Sequence, residues 1–256
     1  MKSTALTTSL QNTNRSKKTL WFLLAFPILL FSCQNFLGKR VRGNGNIQTQ
    51  DRQVSDFKNV EVGGAAKVFV SQGDHASVKV EVDDNLQQYV EVGQEGNRII
   101  VRERSGFHLV PTGDLKIYVT APVYNSIDVS GACDIIGQTK LSNPEDLDME
   151  VSGAGDIHME ADAPNIKAHI SGSGSIDMKG QTKTVYLELT GAAHAHCFDL
   201  LSETTKVDIS GAGSAEVFAS VKLEASVSGA GSVTYKGNAP TVDQHVSGAG
   251  SVRKME

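Results

Sequence analysis

The sequence predicts an all-β fold, a single-stranded parallel β-helix wound as a right-handed solenoid with coils of about 19 residues. Three observations predict it. An SGAG-type string returns seven times, apolar and polar residues alternate on both sides of it, and the composition is rich in glycine (25) and poor in proline (6) and aromatics (6%). That mix suits tight turns between short strands, not a helical core.

The string Ser130-Gly131-Ala132-Cys133-Asp134 returns as Ser152-Gly153-Ala154-Gly155-Asp156 and Ser171-Gly172-Ser173-Gly174-Ser175. It returns again as Thr190-Gly191-Ala192-Ala193-His194 and Ser210-Gly211-Ala212-Gly213-Ser214, and the last copies begin at Ser228 and Ser247. Successive starts lie 22, 19, 19, 20, 18 and 19 residues apart. The residue before each hydroxyl is apolar (Val129, Val151, Ile170, Leu189, Ile209, Val227, Val246), and the one before that is polar. One step further back the column is apolar again except at Gln244. Period-two alternation of this kind brings a strand into each turn with one face inward. After the turn Ile135, Ile157, Ile176, Ala195, Ala215, Val233 and Val252 start a second inward-facing strand.

The second column is glycine in all seven copies (Gly131, Gly153, Gly172, Gly191, Gly211, Gly229, Gly248), so each coil needs a geometry or a closeness that a Cβ would spoil. The fourth column accepts Cys133 and Ala193, so positive φ is not obligatory there. The first column is always a hydroxyl, and stacked in register these residues form a ladder that ties one corner, to turn amides or to one another. A unit of this length cannot bury its inner face alone and must stack on copies of itself. No helical period survives in any unit, and a propeller blade needs about 40 residues. A parallel β-helix fits, each coil rising about 4.8 Å, with the right-handed sense of parallel crossovers.

Residues 50–110 read as irregular first coils or a cap, and 111–254 as the SGAG repeats. Phe57–Val70 looks like a degenerate coil, continued by Val78–Val82 and Arg98–Val101. A cap is needed because an open coil end is an exposed sheet edge. At the far end Arg253, Lys254 and Glu256 are expected to discourage end-to-end pairing.

Residues 1–32 are set apart as a signal peptide. They carry Lys2, Arg15, Lys17, Lys18 and no acid, then an apolar run from Leu20 to Phe31, too short for a bilayer span of about 20 residues. Leu30-Phe31-Ser32-Cys33 resembles the lipobox of bacterial lipoproteins. The resemblance implies cleavage before Cys33, its lipidation, and a membrane anchor through the acyl chains, with residues 33–49 as a tether. An uncleaved signal anchor is the competing reading. Gln34 follows the cysteine in place of the aspartate that favours inner-membrane retention, which points to an outer membrane lipoprotein facing the periplasm or the surface. Without residues 1–32 the chain has 20 basic against 29 acidic residues. Such an acidic domain has no electrostatic reason to bind nucleic acid.

The opening Gly43-Asn44-Gly45-Asn46, then Val54–Val62, then Val82-Asp83-Asp84-Asn85-Leu86, followed by the SGAG turns, resembles the GIN domain family of auto-transporter adhesin heads. Members are common in Bacteroidota and often carried on lipoproteins. The resemblance spans residues 43–252 and implies a β-helical fold and an adhesive role.

Candidate chemistry is sparse. His194, His196 and Cys197 have the composition of metal ligands, but the columns turn both histidines outward and the cysteine inward. Cys133 and Cys197 lie three coils apart, beyond the reach of about 7 Å that a disulfide needs. Asp134 and Asp156 share a column on adjacent coils, as paired carboxylates of a lyase or glycosidase or as Ca²⁺ ligands would; solvent-facing lattice positions are the competing reading. The sequence has no nucleophile elbow, P-loop, dinucleotide fingerprint or HExxH, so neither an enzyme nor a cofactor is expected. The expected function is extracytoplasmic adhesion, a flat β face with ladders of Ser, Asp and His offered to glycans or to surface or matrix proteins. A polysaccharide-active enzyme and a purely structural envelope protein are the alternatives.

Overall fold

The computed structural model describes residues 38–255. The expected signal peptide, the lipidation site Cys33, the first part of the tether and Glu256 lie outside the described residues. From Lys39 onward the chain forms one compact unit. Its strands are β1 (Lys39–Arg42), β2 (Ile47–Arg52), β3 (Asn59–Gln72), β4 (Ser77–Asp83), β5 (Val90–Glu95), β6 (Arg98–Glu103), β7 (Phe107–Val110), β8 (Lys116–Ala121) and β9 (Ser126–Gly137). They continue with β10 (Leu141–Ser142), β11 (Leu147–Gly191), β12 (His194–Cys197), β13 (Leu200–Gly211), β14 (Ser214–Phe218), β15 (Lys222–Gly229), β16 (Ser232–Lys236), β17 (Thr241–Gly248) and β18 (Ser251–Lys254). One 3₁₀ turn at Gln87–Tyr89 is the single helical element among the described residues. The fold is all-β, as expected. Sixteen strands share one large sheet, and β1 and β7 form a small one.

Successive repeats pair in parallel, in the register that the turn strings set. Ser152 lies beside Ser130 and Gly153 beside Gly131; Thr190 lies beside Ser210, Ser210 beside Ser228 and Ser228 beside Ser247. β11 stays extended for 45 residues, straight through two turns. The alternation sorts side chains as read: Ile127, Leu187 and Val207 are fully buried, while the polar residues between them face solvent. The stacked inward rows make a single core of valine, isoleucine, leucine and alanine.

All seven second-column glycines have positive φ, from 99° at Gly131 to 133° at Gly172. A Cβ on Gly153, Gly172 or Gly211 would overlap the carbonyl oxygen of the glycine one repeat earlier. Fourth-column glycines such as Gly155 and Gly174 keep ordinary φ and are constrained by the same close stacking alone. The hydroxyl column differs from expectation. These residues are mostly exposed, and the turn amides bond instead to carbonyls of the preceding turn, as in Ala192 N to Gly172 O (2.9 Å) and Ala212 N to Gly191 O (2.8 Å). Backbone thus satisfies the turn amides without the hydroxyls.

The N-terminal region brings two corrections. Residues 39–42 and 47–49, read as tether, lie in strands: β1 pairs with β7, and β2 runs antiparallel to β4. The alternation over 39–52 is weak, so partners set these strands more than pattern does. The stack also departs from chain order. β3 has β9 on one side and both β6 and β8 on the other. Lys116–Ala121 therefore belongs to the cap side although it lies within 111–254. Val78–Val82 is antiparallel to β8, not a parallel continuation, and gives the sheet its mixed strand order. Within β3, Gly63-Gly64-Ala65-Ala66 sits in register with Ser130-Gly131-Ala132-Cys133, and Gly64 has φ 117°. It is an eighth turn of the same kind.

Candidate functional site

The strands that lead into the turns carry the most structured outward surface. Neighbouring repeats place Glu61, Asp128, Glu150, His169, Glu188 and Asp208 in one row. A second row, two residues upstream, holds Asn59, Ser126, Asp148, Lys167, Tyr186 and Lys206. Strand pitch fixes both rows, because every second residue faces outward and parallel register stacks like positions.

Charges of both signs interlock along these rows. Arg98, from β6, reaches Glu61 at 3.0 Å and Asp128 at 3.7 Å. Ser126 Oγ donates to Asp128 at 3.2 Å, and Lys167 pairs with Asp148 at 3.5 Å. Burial pushes the Asp128 carboxyl above its ordinary value, against the hydrogen bond from Ser126 and the Arg98 charge. Tyr186 Oη donates to Asp208 at 3.0 Å and to Glu188 at 3.2 Å, while Lys206 Nζ lies 4.8 Å from the centre of its ring. Burial and these two carboxylates push the Tyr186 hydroxyl well up. Between the rows runs a shallow groove of about 300 Å³ that includes Arg98, Asp128, Lys167, His169 and Tyr186.

The residues singled out from sequence lie on the next face, after the turn. Asp134 accepts from Asp156 N at 3.3 Å, and Asp156 accepts from Ser175 N at 2.8 Å and Ser175 Oγ at 2.6 Å. Each carboxylate is thus engaged with the repeat that follows it, which is a lattice role. His194 and His196 are exposed and hydrogen-bond to Ser214 (2.8 Å) and Glu216 (3.0 Å). Cys197 is buried on the opposite side of the strand. Among the described residues no group of three or more His, Cys, Asp or Glu is arranged to hold a metal. Cys133 and Cys197 are both free and buried. Burial raises both thiols, Cys197 to about 12.

The sequence segments Gly43–Asn46 and Val82–Leu86 meet in space. Asp83, fully buried, accepts from Gly45 N at 2.7 Å, Thr112 N at 2.9 Å and Thr112 Oγ1 at 2.7 Å. Asn44 and Asn46 donate to the two oxygens of Asp84 at 2.6 and 2.7 Å, and Asn85 donates to Arg42 O at 2.8 Å. The shared residues form a polar clasp that holds the first strands to the stack. A family model, described as putative auto-transporter adhesin, head GIN domain, matches residues 56–239. The chain belongs to this family.

Solved structures similar to this GIN domain share its fold. A putative adhesin from Bacteroides fragilis NCTC 9343 superposes with a TM-score of 0.79 at 19% identity, covering 84% of this chain and 100% of its own. A putative adhesin from Parabacteroides distasonis ATCC 8503 gives 0.66 at 25% identity over 85% of this chain and 100% of its own. A protein of the same organism, named a putative lipid binding protein, gives 0.69 at 21% over the same shares. Comparison with curated proteins gave no match. The family and these adhesin neighbours are named for adhesion and not for catalysis.

Proposed function

We propose that this GIN domain is an extracytoplasmic adhesion module, anchored to the outer membrane by lipid on Cys33, that lays a glycan or protein ligand along the face leading into its turns. In this reading residues 1–32 are a cleaved leader, the tether is short and ends before Lys39, and the repeats wind as a right-handed, single-stranded parallel β-helix. The parallel coiling is supported by the parallel register of repeats 18 to 22 residues apart, and the right-handed sense by the general hand of parallel crossovers. The adhesive role is supported by family membership. One observation carries the choice of face: over six adjacent strand segments it sets a row of five acids and one histidine beside a row that holds Asn59, Ser126, Asp148, Lys167, Tyr186 and Lys206. Periodic hydrogen-bonding groups and a tyrosine with an apolar flank suit a repetitive polar ligand.

Binding of the full chain in mild detergent to arrayed glycans and matrix proteins tests the proposal. Saturable binding to a defined subset is expected, and binding to nothing on either array would leave a purely structural envelope role as the better account. Metabolic labelling with a palmitate analogue tests the anchor. Label is expected in the wild type and lost in Cys33→Ala; equal labelling contradicts the anchor.

A further inference from the structure

The two ends of the stack are finished differently. Beyond β8 the sheet continues through antiparallel β4 and β2, which cover that end. At the other end β17 and β18 are paired on one side only among the described residues. Val246 is 39% exposed there, whereas its counterpart Val227 is 0% exposed one repeat earlier. Such an edge, open in its backbone and apolar on its inner side, is a template for another strand.

The sequence of β17 complements itself. In an antiparallel pairing centred on Gln244, Val242 meets Val246, Asp243 meets His245 and Thr241 meets Ser247. Inward residues then face inward residues, and outward face outward, as a shared pleat demands. Centring on Asp243 or His245 instead would oppose like residues, acid to acid or imidazole to imidazole, and match valine with glutamine. Gln244 is the one polar residue in its inward column, and a carboxamide carries both donor and acceptor, so a two-fold axis through it satisfies both copies. The Asp243 side chain is 65% exposed even with Lys222 3.3 Å away, which leaves room for a second partner. Arg253 and Lys254 reach back to Thr234 and Asn238 of the preceding repeat and do not cross the β17 edge.

We propose that the last repeat is a two-fold interface with a second copy of this chain, in which β17 pairs antiparallel with its counterpart about Gln244. A single strand edge and one end of the core fall below the roughly 1,200–2,000 Å² of stable complexes. The dimer is therefore weak and is best caught covalently.

The test uses the full chain in detergent with Cys33→Ala, which removes the cysteine of the N-terminal segment. Adding Gln244→Cys places two thiols opposite each other across the axis, about 4.5–5.5 Å apart at Cα, within disulfide reach. Mild oxidation is expected to give a covalent dimer on a non-reducing gel. The Cys33→Ala parent, whose remaining cysteines are buried, and the same chain with Ser226→Cys one repeat inward should stay monomeric. Val246→Lys added to Gln244→Cys should lower the dimer yield at least tenfold. No dimer with Gln244→Cys, equal dimer with Ser226→Cys, or a yield unmoved by Val246→Lys would each overturn the proposal. Sedimentation equilibrium of the Cys33→Ala chain is independent of the introduced thiol: a monomer–dimer equilibrium supports the interface, and monomer alone up to about 1 mM contradicts it.

Discussion

At Gly172 the backbone stands at φ 133°, and a Cβ would meet the carbonyl of Gly153 in the turn beside it. Positive φ costs an L-residue roughly 1–2 kcal/mol, and here the obstacle is neighbouring backbone, which cannot swing aside like a side chain. Gly172→Ala should destabilise by at least about 2 kcal/mol in urea unfolding, whereas Ser171→Ala, which removes a hydroxyl from the corner, should stay within about 0.5 kcal/mol. Equal effects would mean that the hydroxyl ladder carries the corner after all. The cysteines give a second check at this scale. Burial keeps Cys197 protonated far above neutrality and raises Cys133, and only thiolates react quickly. Neither should react with a thiol reagent at about pH 8 until the chain is unfolded; reaction of the folded protein at both would place them at the surface.

Among the elements, the clasp between the first strands and β4 rests on Asp83. Burial pushes its carboxyl upward, but the hydrogen bonds from Thr112 and Gly45 outweigh this and hold it below the ordinary 3.8. A carboxyl depressed in the folded state adds stability above its unfolded value and loses it as pH falls through the folded one. The clasp should therefore be at full strength above about pH 5 and weaken below about pH 4. Asp83→Asn should lower neutral-pH stability by about 1–3 kcal/mol, because a buried amide hydrogen loses its acceptor, and should flatten the acid limb. Hydrogen exchange at Gly45 and Thr112 reads the effect; unchanged protection in the variant would remove Asp83 from this role. The same region marks where sequence stopped being a guide. Columns Ile127 to Val207 could be read because one alternation repeats. Gly63-Gly64-Ala65-Ala66 lacks the hydroxyl, so the sequence marks Phe57–Val70 only as a degenerate coil, and it takes the register with Ser130–Cys133 to make its turn the eighth. The placement of β8 on the far side of β3 is a matter of long-range pairing, which no local pattern encodes. For the proposed binding face the sequence offers outward columns without choosing among them, and its candidates Asp134, Asp156, His194 and His196 lie on the face after the turn; the Arg98–Asp128 and Tyr186–Asp208 contacts join segments 30 and 22 residues apart and need the register to be known.

For the whole molecule, stability should behave as a sum over like units with nearest-neighbour contacts. Deleting Ser210–Val227, one whole unit, rejoins Ile209 to the next Ser-Gly-Ala-Gly string and keeps every inward column inward. That chain should still fold, with cooperative unfolding at a somewhat lower denaturant midpoint. Deleting only Ser210–Phe218 breaks the stacking of all later repeats and should yield no cooperative transition. Matching behaviour of the two deletions would contradict register-dependent stacking. The same columns that stack the core hold the outward rows in line, which ties the fold to the proposed adhesion. The most direct measurement compares affinity for an arrayed ligand between variants on the two outer faces. Removing Lys206 and the Tyr186 ring, as Tyr186→Ala with Lys206→Ala, should weaken binding at least tenfold, about 1.4 kcal/mol. His194→Ala with His196→Ala, on the face after the turn, should leave it unchanged. Loss of binding in the histidine variant, with the tyrosine–lysine variant unaffected, would contradict the assignment of the binding face.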